Sequence, residues 1–301
     1  MKVLFLLLTT ASLVFSFAPK TSVPRSTSNR HAPLKPPSLG EPTSSRNTAT
    51  SLAMMIPRGG ASAVVSKSID LLTTSLQSGP WGVVGLWAVS SAVVVPFTLY
   101  RQGFSFSVGY GYSVMAMSMV LAKVFHVDPL LCAAIFYGAR LGSYLLFRNI
   151  VSPKKAQQTK SFDKTFPRIK RVPFAASVAL FYAFLMTPAL YAMRLVATTT
   201  ATTTSMANQF LKVGTIVAWV GAVLEAVADG QKLMAKSSPT PANIDDDDEV
   251  EVTPFVGPTS GVYRLTRHPN YTGELIFWFG LLVAGIPSFG KSPIAWICSL
   301  L

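Results

Sequence analysis

"GVYRLTRHPNYTGELIFWFG", residues 261–280, gathers two arginines, a histidine, an asparagine, two tyrosines and a glutamate before running straight into an apolar helical stretch. Such a polar cluster at the mouth of a hydrophobic run belongs at a membrane boundary. The rest of the chain agrees. Half of its 301 residues are hydrophobic and 13% are charged, where a soluble domain carries about a quarter charged residues. Mean hydropathy is +0.42. Six runs are long and apolar enough to cross a hydrocarbon core: about 81–99, 107–125, 130–147, 173–196, 210–230 and 274–301. The expected fold is all-α: a multi-span transmembrane helical bundle of about six spans, preceded by a disordered targeting leader.

The net charge of +13 does not indicate a nucleic-acid partner. Residues 1–58 hold seven Lys/Arg (Lys2, Lys20, Arg25, Arg30, Lys35, Arg46, Arg58) and one acid, Glu41, so +6 of the +13 lies in the leader. Most of the remainder sits in one connection, Arg148 to Arg171, where eight basic residues face only Asp163. By the positive-inside rule this loop faces the cytosol or, in a plastid, the stroma. Counting outward puts the 230–274 loop on the same side, with Lys232, Lys236, Arg264 and Arg267, and the uncharged "ATTTATTTS" loop on the other. The run "DDDDEVE" (Asp245 to Glu251) reads as a solvated spacer, since like charges packed this densely repel. Cys132 and Cys298 lie in apolar stretches without nearby His or acid, which excludes a disulfide scaffold and gives no metal-ligand spacing.

Residues 1–18 read as a signal peptide: one early lysine, an apolar stretch from Val3 to about Val14, then Ser16 and Ala18. Residues 19–58 are Ser/Thr/Pro-rich and basic, the composition of a transit peptide. The Ser16-Phe17-Ala18-Pro19 junction resembles the cleavage site of two-part plastid leaders. A plastid membrane is therefore the favoured location, with the endoplasmic reticulum as the alternative. Residues 80–301 form the expected transmembrane domain.

Polar residues inside the spans carry the candidate chemistry, because a charge in a spanning helix costs roughly 2.5–3.5 kcal/mol on insertion scales. In "FYGARLGSYLLFRN", Tyr137, Arg140, Tyr144 and Arg148 form one stripe at helical spacing. Arg140 calls for an ion pair with Glu225 or Asp229, or else a role in orienting cofactor phosphate or substrate. Glu225 and Asp229 are one turn apart in "AWVGAVLEAVADGQKLMAK", suited to ribose hydroxyls or to a basic partner. In the opening stretch, Arg264 and Arg267 offer bidentate donors for phosphates. His268 can donate to an anion, Asn270 suits a carboxamide or ribose, and Tyr271 offers a phenol and a stacking face. Glu274 is expected to begin the last helix, where an acid suits the dipole. The same segment also reads as an amphipathic interfacial stretch. In "SFSVGYGYSVMAMSM" the glycines suit close helix packing, and Tyr110 or Tyr112 is a candidate donor to a substrate carbonyl.

"GVYRLTRHPNYTGE", with "EAVADGQK" some thirty-five residues earlier and "FYGARLGSYLLFRN" in the third span, resembles a membrane protein family related to the steroid 5-alpha-reductase C-terminal domain (DUF1295-like). The likeness covers roughly residues 80–300. The family belongs to a wider group that includes sterol reductases and isoprenylcysteine carboxyl methyltransferases. The resemblance implies an NADPH-dependent reductase acting on an activated double bond (a CH–CH group) of a lipid-soluble substrate. Its cofactor contacts would be Asp229, Arg264, Arg267, His268, Asn270, Tyr271 and Glu274. Arg140, Tyr144 and Glu225 would form a substrate-orienting or structural stripe, and no metal is implied. Two alternatives stand beside it: an S-adenosylmethionine-dependent lipid or prenyl methyltransferase, and a non-catalytic membrane protein. Relatives usually continue past the point where this chain stops, at Leu301, and they carry a bulkier apolar residue where Thr272 stands. The acid–tyrosine pair that polarises the ketone in the steroid enzymes has no clear counterpart in the sequence, which speaks against a steroid.

Overall fold

The computed structural model describes residues 58–151, 167–198, 205–237 and 258–300. The expected signal peptide, the transit-like leader up to residue 57 and the acidic run from Asp245 lie outside the described residues. The chain divides into two compact units, Met1–Ser68 and Ile69–Leu301. Helix α1 (Arg58–Gln77) begins in the first and ends in the second; everything below belongs to the second.

Six helices are long and apolar enough to cross a membrane. They are α2 (Gly82–Tyr100), α3 (Val108–Phe125), α4 (Pro129–Val151), α5 (Arg171–Thr198), α6 (Ser205–Ser237) and α7 (Pro269–Phe289), followed by a short α8 (Pro293–Leu300). No strand occurs among the described residues. A helix satisfies its own backbone, which is why apolar runs of this length take that form in lipid. Buried hydroxyls follow the same logic: Thr98 and Ser118 donate to the carbonyls one turn back, Val94 and Val114. Pro96, Pro188 and Pro287 sit inside spans, tolerated where neighbouring helices pack around the freed carbonyls.

The last span departs from expectation. The apolar run 274–301 is not one helix. Pro269, whose fixed φ suits the first helical position, starts α7 five residues earlier than expected. Gly290, at φ +49°, then ends it, and α8 is a separate element. No acid stands in the first turn of α7, so Glu274 lies a full turn inside the helix rather than at its positive end.

Small residues set how the helices pair. Along α6, Gly214, Ala218 and Gly221 face Gly273, Phe277, Gly280 and Ala284 of the antiparallel α7. A methyl group on Gly273 would lie 2.6 Å from the backbone nitrogen of Glu225, and one on Gly214 would lie 2.5 Å from that of Ala284. Helices α3 and α4 meet in the same way: a methyl on Gly138 would lie 2.5 Å from the Met115 nitrogen. Backbones this close gain van der Waals contact, the main attraction left between helices when lipid removes the hydrophobic one. Helix α2 lies along α5, where the Trp87 indole donates to the Ala176 carbonyl at 2.8 Å. At the far end of α5, Arg194 donates to the carbonyls of Ser75, Leu76 and Gly79 at 2.7–2.8 Å. It thereby satisfies carbonyls that the end of α1 leaves open.

The up-and-down order has a consequence for the site. The ends of α2, α4 and α6 and the starts of α3, α5 and α7 share one end of the bundle. That end carries Arg101, Arg148, Arg168, Lys170, Lys232, Arg264 and Arg267. The described ends of the two basic connections therefore share one end of the bundle, as the loop charges require.

The α6–α7 seam gives a direct prediction. Gly221→Leu or Gly273→Leu should lower the melting temperature in detergent by several degrees, through overpacking of about 1–3 kcal/mol. Gly230→Ala, at a helical position where an added methyl meets nothing within 4 Å, should leave it unchanged.

Candidate functional site

The site grows from two of these glycine contacts. At Gly273 the backbone of α7 touches α6 at Glu225, which brings Glu225 beside the residue that precedes Glu274. Helix α4 runs parallel to α6: the Trp219 indole donates to the Pro129 carbonyl at 3.1 Å, and further along the same pair Arg140 reaches Glu225 and Asp229. One guanidinium nitrogen of Arg140 lies 2.9 Å from Glu225 Oε1, and the other bonds Asp229 Oδ2. Both acids are buried, at 4% and 6% exposure. The second oxygen of Glu225, Oε2, has no hydrogen-bond partner among the described residues.

A second cluster lies beside the first. Tyr110, near the start of α3, donates to Glu274 Oε1 at 2.7 Å. Its oxygen accepts from the Trp278 indole at 2.9 Å. The Tyr137 hydroxyl lies 3.2 Å away. Since Tyr110 spends its only proton on Glu274, Tyr137 is the donor in that pair. The Tyr110 oxygen thus receives two hydrogen bonds and makes one. Tyr182 packs on the Tyr110 ring at 4.9 Å between centroids, and Tyr137 stacks on Phe277 at 3.9 Å. Arg140 lies over the other end of this set, 5.9 Å from the Tyr137 ring centre. The two clusters, Asp229–Arg140–Glu225 and Glu274–Tyr110, lie side by side where α7 touches α6 at Gly273.

The structure therefore brings together Tyr110, Arg140, Glu225, Asp229 and Glu274. Tyr144 lies on the same stripe of α4, toward the basic end, with Arg148 against its ring at 5.9 Å. Tyr112 does not join: it stacks on Phe97 and lies 3.3 Å from the Ser143 hydroxyl. Arg264, Arg267 and His268 are exposed, Tyr271 is 61% exposed, and Asn270 is half-buried. His268 meets Tyr271 edge-on at 5.8 Å. The two arginines have no ion-pair partner among the described residues.

What holds this segment is its first half. Gly261, at φ +64°, leaves no room for a side chain against Gln231, and the Val262 N–H donates to Gln231 Oε1 at 3.2 Å. The Tyr263 phenol donates to the Ala228 carbonyl at 3.2 Å. Burial, and then the nearby Asp229 carboxylate, push that phenol above its ordinary range, so it remains a donor at neutral pH. The segment is pinned to the end of α6, and its arginines are exposed.

Sequence reasoning missed Trp278 and Tyr182. Trp278 stands one turn after Glu274, a spacing that marks it in retrospect. Tyr182 carries no such signal, since only the packing of α5 against α3 places it.

A family model described as "Protein of unknown function (DUF1295)" matches residues 105–301. The chain belongs to the DUF1295 family. The matched region contains α3 to α8 and so every member of both clusters. No curated protein matches the chain, and no solved structure matches it.

Tyr110→Phe leaves the half-buried Glu274 oxygen without its donor, which should cost about 1 kcal/mol or more. It should lower the melting temperature and shift the Trp278 emission. Tyr112→Phe, at a hydroxyl outside the cluster, should do neither.

Proposed function

We propose that this DUF1295 member is a membrane reductase that uses NADPH to saturate an activated double bond in a lipid-soluble acceptor. The observation that carries the reading is the Tyr110 hydroxyl. It is held by Trp278 and Tyr137 as donors and by Glu274 as acceptor, at the end of the bundle where α7 begins. Reduction of a conjugated double bond adds a hydride to one carbon and a proton to its neighbour, and charge developing on the acceptor oxygen is stabilised by a fixed donor. A phenol fixed by several partners suits the proton-delivery role, its one O–H turning from Glu274 to the substrate carbon. The resemblance to the steroid 5-alpha-reductase C-terminal domain points the same way.

The residues present fit the cofactor. Arg264 and Arg267 are exposed guanidinium groups with no ion-pair partner among the described residues, suited to the phosphates. His268, Asn270 and Tyr271 follow at once, and would take the ribose and carboxamide. Asp229 and Glu274 each spend one carboxylate oxygen on a protein partner and keep the other for a ribose hydroxyl or amide. When bound, NADPH supplies the hydride; the O–H bond of Tyr110 breaks as the new C–H bond forms. Along α6 an open apolar groove lined by Trp219, Val220, Val223, Leu224, Val227 and Val262 faces outward, and a lipid-soluble acceptor of the sterol, carotenoid, prenyl or acyl class would enter from the bilayer.

The test is a melting experiment on detergent-solubilised protein with NADPH, NADH or S-adenosylmethionine. NADPH should raise the melting temperature selectively, and Arg264→Ala with Arg267→Ala, or Asn270→Ala, should abolish that rise without unfolding the protein. Stabilisation by S-adenosylmethionine alone would replace the reductase with a lipid or prenyl methyltransferase. No shift with any of the three would favour a non-catalytic membrane protein.

A further inference from the structure

On the side of the basic end formed by the last turn of α2 and the first turns of α5, one arginine is fixed in place. The Arg101 N–H ends α2 by donating to the Phe97 carbonyl at 2.9 Å. Its guanidinium lies 5.6 Å from the centre of the Tyr100 ring and 5.7 Å from that of Phe104, so two aromatic faces set where this charge sits. The chain then turns back. Phe106 meets Phe174 of α5 edge-on at 5.4 Å, and the Tyr182 phenol donates to the Ser105 carbonyl at 2.8 Å. These contacts lay the α2–α3 connection against α5. A 3-10 turn, Arg168–Lys170, leads into that helix and carries Ile169, 77% exposed, between two exposed cations. Among the described residues no acid pairs with Arg101, Arg168 or Lys170.

Topology alone does not require this arrangement. The positive-inside bias asks only that cations stand on this side of the membrane. It does not ask that one be clamped by rings, or that exposed apolar side chains be interleaved with the others. A soluble anion would answer the three charges and leave Tyr100, Phe106 and Ile169 exposed to water. A lipid surface answers both, since aromatic rings settle at the headgroup layer and basic residues beside a span are drawn to anionic lipid. We propose that Tyr100, Arg101, Phe106, Arg168, Ile169 and Lys170 form a docking surface for the headgroups of anionic phospholipid in the leaflet at the basic end. The rings and Ile169 enter the acyl boundary, and the three cations take the phosphate. A zwitterionic headgroup brings its own cation, so the surface prefers a headgroup of net negative charge. The patch shares no residue with the cofactor contacts and does not depend on the reductase reading.

Spin-labelled lipids test this on the full-length protein reconstituted in phosphatidylcholine bilayers, where electron spin resonance separates lipid held at the protein surface from lipid free in the bilayer. Labelled phosphatidylglycerol should be held several-fold more strongly than labelled phosphatidylcholine. Arg101→Gln with Arg168→Gln and Lys170→Gln should remove most of that preference, and Ile169→Asn, which leaves the charge unchanged, should weaken retention of both lipids. Lys154→Gln with Lys155→Gln and Lys160→Gln, an equal loss of charge from the adjoining connection, should keep most of it. If loss of Arg101 prevents folding, the exposed pair Arg168→Gln with Lys170→Gln decides the matter, with a preference weakened about twofold or more. Equal retention of the two lipids by the wild type would overturn the proposal. So would a preference that survives these variants, or one lost as fully in the charge-matched control. Millimolar inorganic phosphate or NADPH should leave the preference in place. Its loss with phosphate would assign the patch to a soluble anion, and its loss with NADPH alone would assign it to the cofactor; either result overturns the lipid reading.

Discussion

A guanidinium inside a membrane must be answered by acids, and the bundle is arranged around that requirement. Arg140 lies in the middle of α4, and Glu225 and Asp229 stand one turn apart on the facing side of α6. Each of the three charges alone would cost roughly 2.5–3.5 kcal/mol to insert. Together they fix the register and the parallel direction of α4 and α6, because only one alignment lets a single side chain meet both acids. Such a pair costs desolvation as well as gaining attraction. Its contribution here is to specify which helices pair and at what height.

The glycine seams carry that register to the other helices. Gly273 lets α7 approach α6 at the height of Glu225, and Gly138 lets α3 approach α4 so that Tyr110 and Tyr137 lie side by side. Glu274 and Trp278 then reach Tyr110 from α7. Two adjacent polar clusters result, one around Arg140 and one around a tyrosine packed among aromatic rings. Outside them, the spans present apolar side chains such as Val213, Ile216, Val220 and Phe279, as contact with lipid requires.

Much of this was legible in the sequence. Four of the six spans fall within a few residues of their hydropathic limits, and α6 extends the run 210–230 by five residues before and seven after, because the cost of bare backbone in lipid leaves few alternatives. Arg140 with Glu225 or Asp229 was one of two open readings, since an intramembrane charge demands a partner. Tyr110 was a candidate and could not be told from Tyr112. The two alternate on the helix and point to different neighbours, which only the α3–α4 contact decides. The last span was misread because hydropathy does not register the left-handed turn at Gly290. Glu274 reads as a helix start from hydropathy, whereas Pro269, with its fixed φ, begins the helix five residues earlier. The exposure of Arg264, Arg267 and Tyr271 was equally hidden, since the same residue types serve an interfacial stretch and a phosphate site. The aromatic enclosure by Tyr182 and Trp278 comes from tertiary packing alone.

The account depends most on the Arg140 cluster, and a double-mutant cycle between Arg140 and Asp229 tests it directly. Arg140→Gln, Asp229→Asn and the double variant would be unfolded by SDS titration in mixed micelles. Arg140→Gln alone should cost about 3–5 kcal/mol, since it leaves buried acids without their cation. The double variant should be more stable than the sum of the two losses by about 1 kcal/mol or more. Strictly additive losses, or single variants as stable as the wild type, would mean that these charges do not meet in the membrane and that the helices are held in register by something else.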